Sequence, residues 1–141
     1  MLADRRKLAR LRRLERVRAI AHREAATAAA EAEATLARLD ELAMRTETLA
    51  GDYTARPGAV EGGELSRASS FVQALLTIRS AALADARRAR EQADARQAAL
   101  ASAERRRSGV QTRADAVERA LAQRAVLPVL VARRKAGTGL E

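Results

Sequence analysis

The stretch GDYTARPGAVEGGE, residues 51–64, separates two long segments with helical periodicity. Glycine and proline end helices and permit the chain to reverse its direction. The helix-breaking residues of this stretch are Gly51, Pro57, Gly58, Gly62 and Gly63. No comparable cluster occurs elsewhere in the 141 residues. The sequence therefore predicts two helices joined by a bend.

Composition agrees with an all-α chain. Hydrophobic residues make up 48% of the sequence, but 36 residues are alanine and the only aromatic side chains are Tyr53 and Phe71. Strands favour β-branched and aromatic residues, and a compact core needs large apolar side chains. An all-β fold, a Rossmann-type fold and a compact enzyme core are therefore disfavoured. A chain rich in Ala, Glu, Leu and Arg is typical of a long helix or a coiled coil.

A heptad pattern runs through both segments. We expect the first helix at residues 3–50, the bend at 51–64 and the second helix at 65–127, followed by a partly disordered tail at 128–141. In the first helix the expected seam consists of Leu14, Arg18, Ala21, Ala25, Ala28, Ala32, Thr35, Leu39, Leu42, Thr46, Leu49 and Tyr53. In the second it consists of Leu65, Ala68, Val72, Leu75, Arg79, Ala82, Ala86, Ala89, Ala93, Arg96, Leu100, Ala103, Arg107, Val110, Ala114, Val117, Leu121 and Arg124.

Such a sustained repeat of 3.5 residues predicts a left-handed coiled coil. Because the break is short, the simplest arrangement is a single antiparallel two-helix hairpin. A reversal near residue 57 would place residue 1 opposite about residue 114. Val117, Leu121 and the apolar residues after them would then have no partner helix.

Positive charge is concentrated in two parts of the sequence. Residues 1–24 and residues 104–135 each hold nine basic and three acidic side chains, while the whole chain has a net charge of +9. A hairpin would bring these segments together as one basic pole. Such a pole attracts nucleic acid, anionic lipid or an acidic protein surface.

No catalytic or cofactor site is expected. The chain has no cysteine, which excludes disulfides and thiolate metal sites. The single histidine, His22, has no second ligand nearby and is expected to face solvent. The N-terminal segment is charged throughout, so a secretory signal is not expected; its arginine-rich composition also suits a mitochondrial presequence, which is the less favoured alternative.

Four arginines occupy expected seam positions: Arg79, Arg96, Arg107 and Arg124. Their long side chains can extend out of a thin two-stranded seam. Alternatively they specify the register of the two helices or meet an acidic partner.

The apolar band next to the bend is wider than a two-stranded seam requires. At 100° per residue, the positions from Ile78 and Phe71 through Leu75 and Val72 to Leu76 span an arc of about 160°. Exposed apolar patches of this kind indicate a binding surface. The alternative is that residues 53–62 fold over the patch.

These features resemble the FliJ-type proteins of the bacterial flagellar and type III secretion export apparatus. The resemblance covers residues 1–125. It is carried by the basic start with leucines, by Tyr53 before the bend and by the restart after it, together with the basic C-terminal end. The matching positions are Leu8, Leu11, Arg12, Arg13, Leu14, Glu15, Tyr53, Gly63, Leu65, Phe71, Val72 and Leu75.

The resemblance implies an antiparallel two-helix coiled coil similar to the central stalk of rotary ATPases. It implies a cytoplasmic protein without enzymatic activity or cofactor, peripheral to the inner-membrane export apparatus. The end with both termini would enter the hexameric export ATPase, the bend would contact the cytosolic domain of the membrane export gate, and export chaperones are possible further partners.

Two sets of contact residues follow from the resemblance. The expected contacts with the export gate are Leu42, Thr46, Leu49, Tyr53, Phe71, Leu75, Ile78 and Ala82. The expected contacts with the ATPase are Arg5, Arg6, Arg10, Arg13, Arg113, Val117, Leu121 and Arg124. The alternative functions are a basic coiled coil that binds nucleic acid or an anionic surface, and a purely structural spacer.

Overall fold

The computed structural model of the protein describes residues 1–55 and 62–137. It contains two helices, α1 (Leu2–Ala55) and α2 (Gly62–Gly137), which pack against each other in antiparallel directions. The described residues contain no strand. The predicted all-α, two-helix hairpin is therefore confirmed, while the reversal expected at Pro57 lies outside the described residues.

The first helix continues beyond its expected end at residue 50. An isolated glycine costs a helix only about 1 kcal/mol relative to alanine, so Gly51 does not terminate it. The Thr54 hydroxyl donates a hydrogen bond to the Ala50 carbonyl at 2.7 Å, and the Tyr53 ring packs against Phe71. Packing of Tyr53 thus extends α1 to Ala55.

The second helix is longer than expected at both ends. It begins at Gly62, with Glu64 in its first turn, where a carboxylate interacts favourably with the helix dipole. It also continues through Pro128 to Gly137, so the expectation of a separate tail from residue 128 is wrong for residues 128–137. Proline has no N–H to bond the carbonyl four residues earlier, but the helix tolerates this single loss. Residues 138–141 lie outside the described residues.

The covered side of α2 is the expected one from Val72 onwards, whereas Leu65, the first expected seam residue, is 60% exposed. The buried apolar residues of this helix all occupy expected seam positions: Leu75, Ala82, Ala86, Ala93, Val110 and Ala114. Val72, Val117 and Leu121, also at expected seam positions, are half-buried. The heptad pattern of α2 therefore predicts correctly which side of the helix is covered.

In α1, every second seam position differs from the expectation by one residue. The buried residues are Ala29, Ala43, Thr46 and Ala50, so Ala43 and Ala50 replace Leu42 and Leu49 in the seam. The facing residues of α2 are largely alanines, which let the two backbones approach closely and leave little room for leucine. Thr46 is buried because its hydroxyl is satisfied by the Leu42 carbonyl at 2.9 Å and the Ala43 carbonyl at 3.0 Å.

The contacts divide the chain into two units. The terminal unit comprises Met1–Ala25 with Leu100–Glu141, and the bend unit comprises Ala26–Ala99. In the bend unit, the Glu47 carboxylate oxygen Oε2 lies 3.6 Å from Nε of Arg79. The Asp40 carboxylate oxygen Oδ2 lies 4.0 Å from Nη2 of Arg90. These pairs fix the register of the two helix segments in the bend unit.

The register of the terminal unit differs from the expected one. Asp4 pairs with Arg124, and Arg12 pairs with Asp115 at 3.1 Å. A reversal near residue 57 would have placed residue 1 opposite about residue 114, so the observed register is displaced by about two heptads. The unpartnered part of α2 therefore begins after Arg124, and not near residue 115 as expected.

Candidate interaction surfaces

The bend unit has two different flanks on either side of its seam. In an antiparallel coiled coil, the g positions of both helices lie on one flank and the e positions lie on the other. On the e flank, Asp40 and Glu47 of α1 form ion pairs with arginines of α2. On the g flank, large apolar residues from both helices are exposed. We call these four residues the apolar flank: Leu42, Leu49, Phe71 and Ile78.

The members of the apolar flank are exposed to a similar extent. The exposed fractions are 43% for Leu42, 40% for Leu49, 41% for Phe71 and 45% for Ile78. Because Glu47 pairs with Arg79, the register brings Leu49 beside Ile78, so α1 and α2 contribute to one surface. An exposed apolar strip along one flank of a coiled coil is suited to bind a partner.

An aromatic contact borders this strip. The rings of Tyr53 and Phe71 meet edge-to-face, with centroids 4.7 Å apart and an interplanar angle of 61°. An open groove of about 320 Å³ lies beside them and is lined by Tyr53, Glu64, Arg67, Ala68 and Phe71. Such aromatic pairs hold both rings in a defined orientation. The contact therefore fixes the exposed face of Phe71.

The residues expected to contact an export gate thus separate into two groups. Leu75, Ala82 and Thr46 are buried in the seam and offer no surface to a partner. Tyr53 is half-buried, whereas the four members of the apolar flank are exposed. The alternative, in which residues 53–62 cover the patch, falls mostly on residues outside the described ranges.

The terminal unit instead exposes arginines. Within residues 1–55 and 62–137, no ion pair is formed by Arg5, Arg6, Arg10, Arg13 or Arg113, all of which are exposed. We call these five residues the basic surface. They all belong to the set expected to contact an ATPase. Their charges are available to an anionic partner.

In the terminal unit, one arginine forms ion pairs with three carboxylates. Arg12 binds Glu15 at 2.9 Å and Asp115 at 3.1 Å, and it also binds Glu118. The hydrogen bond that Arg12 donates to Glu15, together with those it donates to Glu118 and Asp115, raises the pKa of Arg12 above its usual value. Arg124 holds Asp4 in the same way. Four carboxylates are thus paired with two arginines, which leaves the basic surface uncompensated.

Arg12 lies outside both sets of contact residues expected from the sequence. The available signal was the pair Asp115 and Glu118 on α2, because carboxylates three residues apart lie on one face of a helix. Only the correct register brings that face to Arg12. The role of Arg12 was therefore hidden by the displaced register.

Val117 and Leu121 also differ from expectation. Both are half-buried and line a groove of about 260 Å³ together with Asp4, Lys7 and Arg124. They were expected to be free of any partner helix, but the observed register places them against the beginning of α1. They therefore contribute to the seam of the terminal unit.

The side chains of the four seam arginines extend outwards to different extents. Arg79 reaches Glu47, although its Nε is buried without a hydrogen-bond partner in the described structure. Arg124 reaches Asp4, while Arg96 and Arg107 are exposed. Two of the four arginines thus meet an acidic residue of the same chain.

His22 is half-buried and lies at a seam position, three residues before Ala25 and seven before Ala29. The expectation that it faces solvent is wrong, because the seam of α1 is shifted by one residue at this point. Among the described residues, no group of three or more His, Cys, Asp or Glu side chains is arranged to hold a metal ion.

Neither described helix contains an apolar stretch long enough to cross a membrane. Comparison with known proteins gives no further assignment: no family model, no curated protein and no solved structure matches this chain.

Proposed function

We propose that the protein is a non-enzymatic stalk or coupling component of the flagellar (type III) protein export apparatus. In this role the terminal unit enters the hexameric export ATPase, and the apolar flank contacts the cytosolic domain of the export gate. The protein acts in the cytoplasm beside the inner-membrane apparatus and takes part in flagellum biogenesis, with export chaperones as further partners.

The observation that supports this proposal is the separation of two surface chemistries on one two-helix hairpin. The terminal unit exposes the basic surface, and the bend unit exposes the apolar flank. A coupling protein needs two such surfaces, because it must hold two different partners at the same time. A structural spacer requires neither an uncompensated cationic surface nor an exposed apolar strip.

The chemistry of each surface suggests how it binds. Exposed arginines attract an acidic surface over a distance and make charge-assisted hydrogen bonds with carboxylates on contact. The apolar flank binds by removing its side chains from water, at roughly 1.5–3 kcal/mol for each fully buried large side chain. ATPase binding should therefore depend on salt more strongly than gate binding.

The test uses one variant for each surface and one assay for each partner. Phe71→Asp with Ile78→Asp should weaken binding to the gate domain by about a hundredfold and leave ATPase stimulation unchanged. Arg10→Glu with Arg13→Glu should lower ATPase stimulation and leave gate binding unchanged.

Matched control variants come from exposed residues outside both surfaces. Leu76→Asp introduces one charge on the e flank of the bend unit, and Arg38→Glu with Arg87→Glu reverses two exposed charges in that unit. Neither control should change either assay. If Arg10→Glu with Arg13→Glu stimulates the ATPase normally, or Phe71→Asp with Ile78→Asp binds the gate domain normally, the proposal is wrong. If the charge-reversed variant instead loses binding to duplex DNA with a steep salt dependence, the nucleic-acid function replaces it.

A further inference from the structure

A short segment of α2 has no charged residue on any side. It is Ala125–Ala132, AVLPVLVA, which we call the apolar collar. Its large side chains are all more than half exposed, at 53% for Val126, 60% for Leu127, 65% for Val129, 56% for Leu130 and 55% for Val131. No other part of the described chain exposes five large aliphatic residues within six positions.

The collar is apolar around the whole helix. Eight successive residues at 100° intervals cover the full circumference, and two turns extend about 12 Å along the helix axis. A helix that is apolar on all sides is normally buried in its surroundings. This segment is too short to span a bilayer, which requires about 20 residues.

Basic residues lie at both ends of the collar along the helix. Arg124 precedes it directly, and Arg133, Arg134 and Lys135 follow it. Because the three residues after the collar are consecutive, they point in three directions about 100° apart. The terminal unit that carries the collar also carries the basic surface. Any occupant of the collar must therefore be both apolar and anionic.

This requirement separates the candidate occupants. A second copy of the chain would bring a like-charged unit against the first, which is unfavourable. A nucleic acid would satisfy the arginines but leave the aliphatic side chains in water. An anionic bilayer satisfies both, because acyl chains accept the aliphatic residues and lipid phosphates accept the arginines.

We propose that the apolar collar binds the surface of an anionic membrane. The collar lies in the boundary between headgroups and acyl chains, where interfacial helices are buried by about 5–10 Å. The unpaired arginines of the basic surface, which belong to the same unit, attract the lipid phosphates. This inference does not depend on the proposed function, because it requires neither an ATPase nor an export gate.

Vesicle binding tests the proposal. The full chain should sediment with vesicles that contain phosphatidylglycerol, and much less with vesicles of pure phosphatidylcholine. Leu127→Gln with Leu130→Gln should weaken binding to the anionic vesicles by at least about tenfold. Met44→Gln with Leu76→Gln is the matched control, because it also removes two exposed apolar side chains but from the bend unit. The control should bind like the unaltered chain.

A second measurement distinguishes insertion from charge attraction. The chain has no tryptophan, so Val129→Trp provides a single fluorescent reporter in the collar. Its emission should shift to the blue on addition of phosphatidylglycerol vesicles. An unshifted emission with full vesicle binding would mean attraction by charge alone and would overturn the proposal. A different outcome is that the chain does not bind vesicles but forms concentration-dependent dimers, which Leu127→Gln with Leu130→Gln abolishes. That result would show that the collar binds a second copy of the chain and not a bilayer.

Discussion

The terminal unit and the bend unit are built from the same two helices but are held together differently. Within residues 26–55 and 62–99 of the bend unit, seven apolar residues are buried, and six of them are alanine: Ala29, Ala43, Ala50, Leu75, Ala82, Ala86 and Ala93. Among the residues of the terminal unit that the structure describes, only Val110 and Ala114 are buried to that degree. There ion pairs of Arg12 and Arg124 also join the two helices.

The difference shows how one coiled coil can carry two surfaces. Where small side chains fill the seam, the large apolar residues are displaced to the g flank and become available to a partner. Where ion pairs join the helices, the carboxylates are used internally and the remaining arginines become available. In each unit the exposed surface consists of the side chains that do not take part in the contact between the two helices.

The largest expected effect concerns the register of the bend unit. With cysteines in place of Asp40 and Arg90, a short thiol crosslinker should join the two helices of one chain almost completely. With cysteines in place of Asp40 and Leu76, it should not, because Leu76 holds the same heptad position two heptads away, about 21 Å along the helix. Gel mobility at low protein concentration measures both. Crosslinking of only the second pair would support the register that a reversal near residue 57 predicts, and would contradict the observed one.

The next effect separates the seam of the terminal unit from the collar. Removal of residues 116–141 takes away Val117 and Leu121, which are half-buried, and should lower the free energy of unfolding by about 2 kcal/mol. Removal of residues 126–141 should leave it nearly unchanged, because only exposed side chains are lost from the described part. Thermal unfolding followed by circular dichroism compares the two. Equal melting temperatures would contradict the observed register.

Neighbouring residues in the bend unit should respond in opposite ways. Ala43→Leu overfills a close contact and should destabilise the hairpin by about 1–3 kcal/mol. Leu42→Ala removes a larger side chain from the exposed flank and should change stability by no more than about 0.5 kcal/mol. Urea unfolding provides both values. The reverse order would put Leu42 in the seam, as the heptad pattern of the sequence predicts.

The smallest effect concerns Arg12. Its ion pairs are solvent-accessible, so Arg12→Gln should lower the melting temperature only slightly, and added salt should reduce the difference. Hydrogen exchange offers a sharper measurement. High salt should increase amide exchange more over residues 8–18 of α1 than over residues 36–50, where Asp40 and Glu47 also form ion pairs but buried alanines add to the contact. An equal increase in both segments would remove the distinction between the two units.

The sequence predicts α2 better than α1 for a physical reason. In α2, the heptad frame that starts at Leu65 already places mostly small residues at the positions that are buried, namely Ala82, Ala86, Ala93, Val110 and Ala114. In α1 the pairs Leu42–Ala43 and Leu49–Ala50 are apolar at both positions. Hydrophobicity favours the leucines for the seam, but the close approach of the backbones selects the alanines. Periodicity alone does not contain this steric information.

The register and the helix ends needed long-range information. The composition of residues 51–64 indicates a reversal but does not say which residues of the two helices lie opposite each other. The contacts that determine this, such as Tyr53 with Phe71 and Asp4 with Arg124, join residues distant in sequence. The two surface chemistries were nevertheless predictable, because charge and large apolar residues are already segregated along the chain.

The alanine seam of the bend unit has a mechanical consequence. An alanine side chain has no rotamers, so a contact between alanines cannot yield by a change of side-chain torsion. Stress applied to this interface is carried by the backbones, whose hydrogen-bonded turns are stiff along the helix axis. A pull on Leu49 or Ile78 by a bound partner is thus transmitted to both helices of the bend unit as displacement, with little loss to local rearrangement.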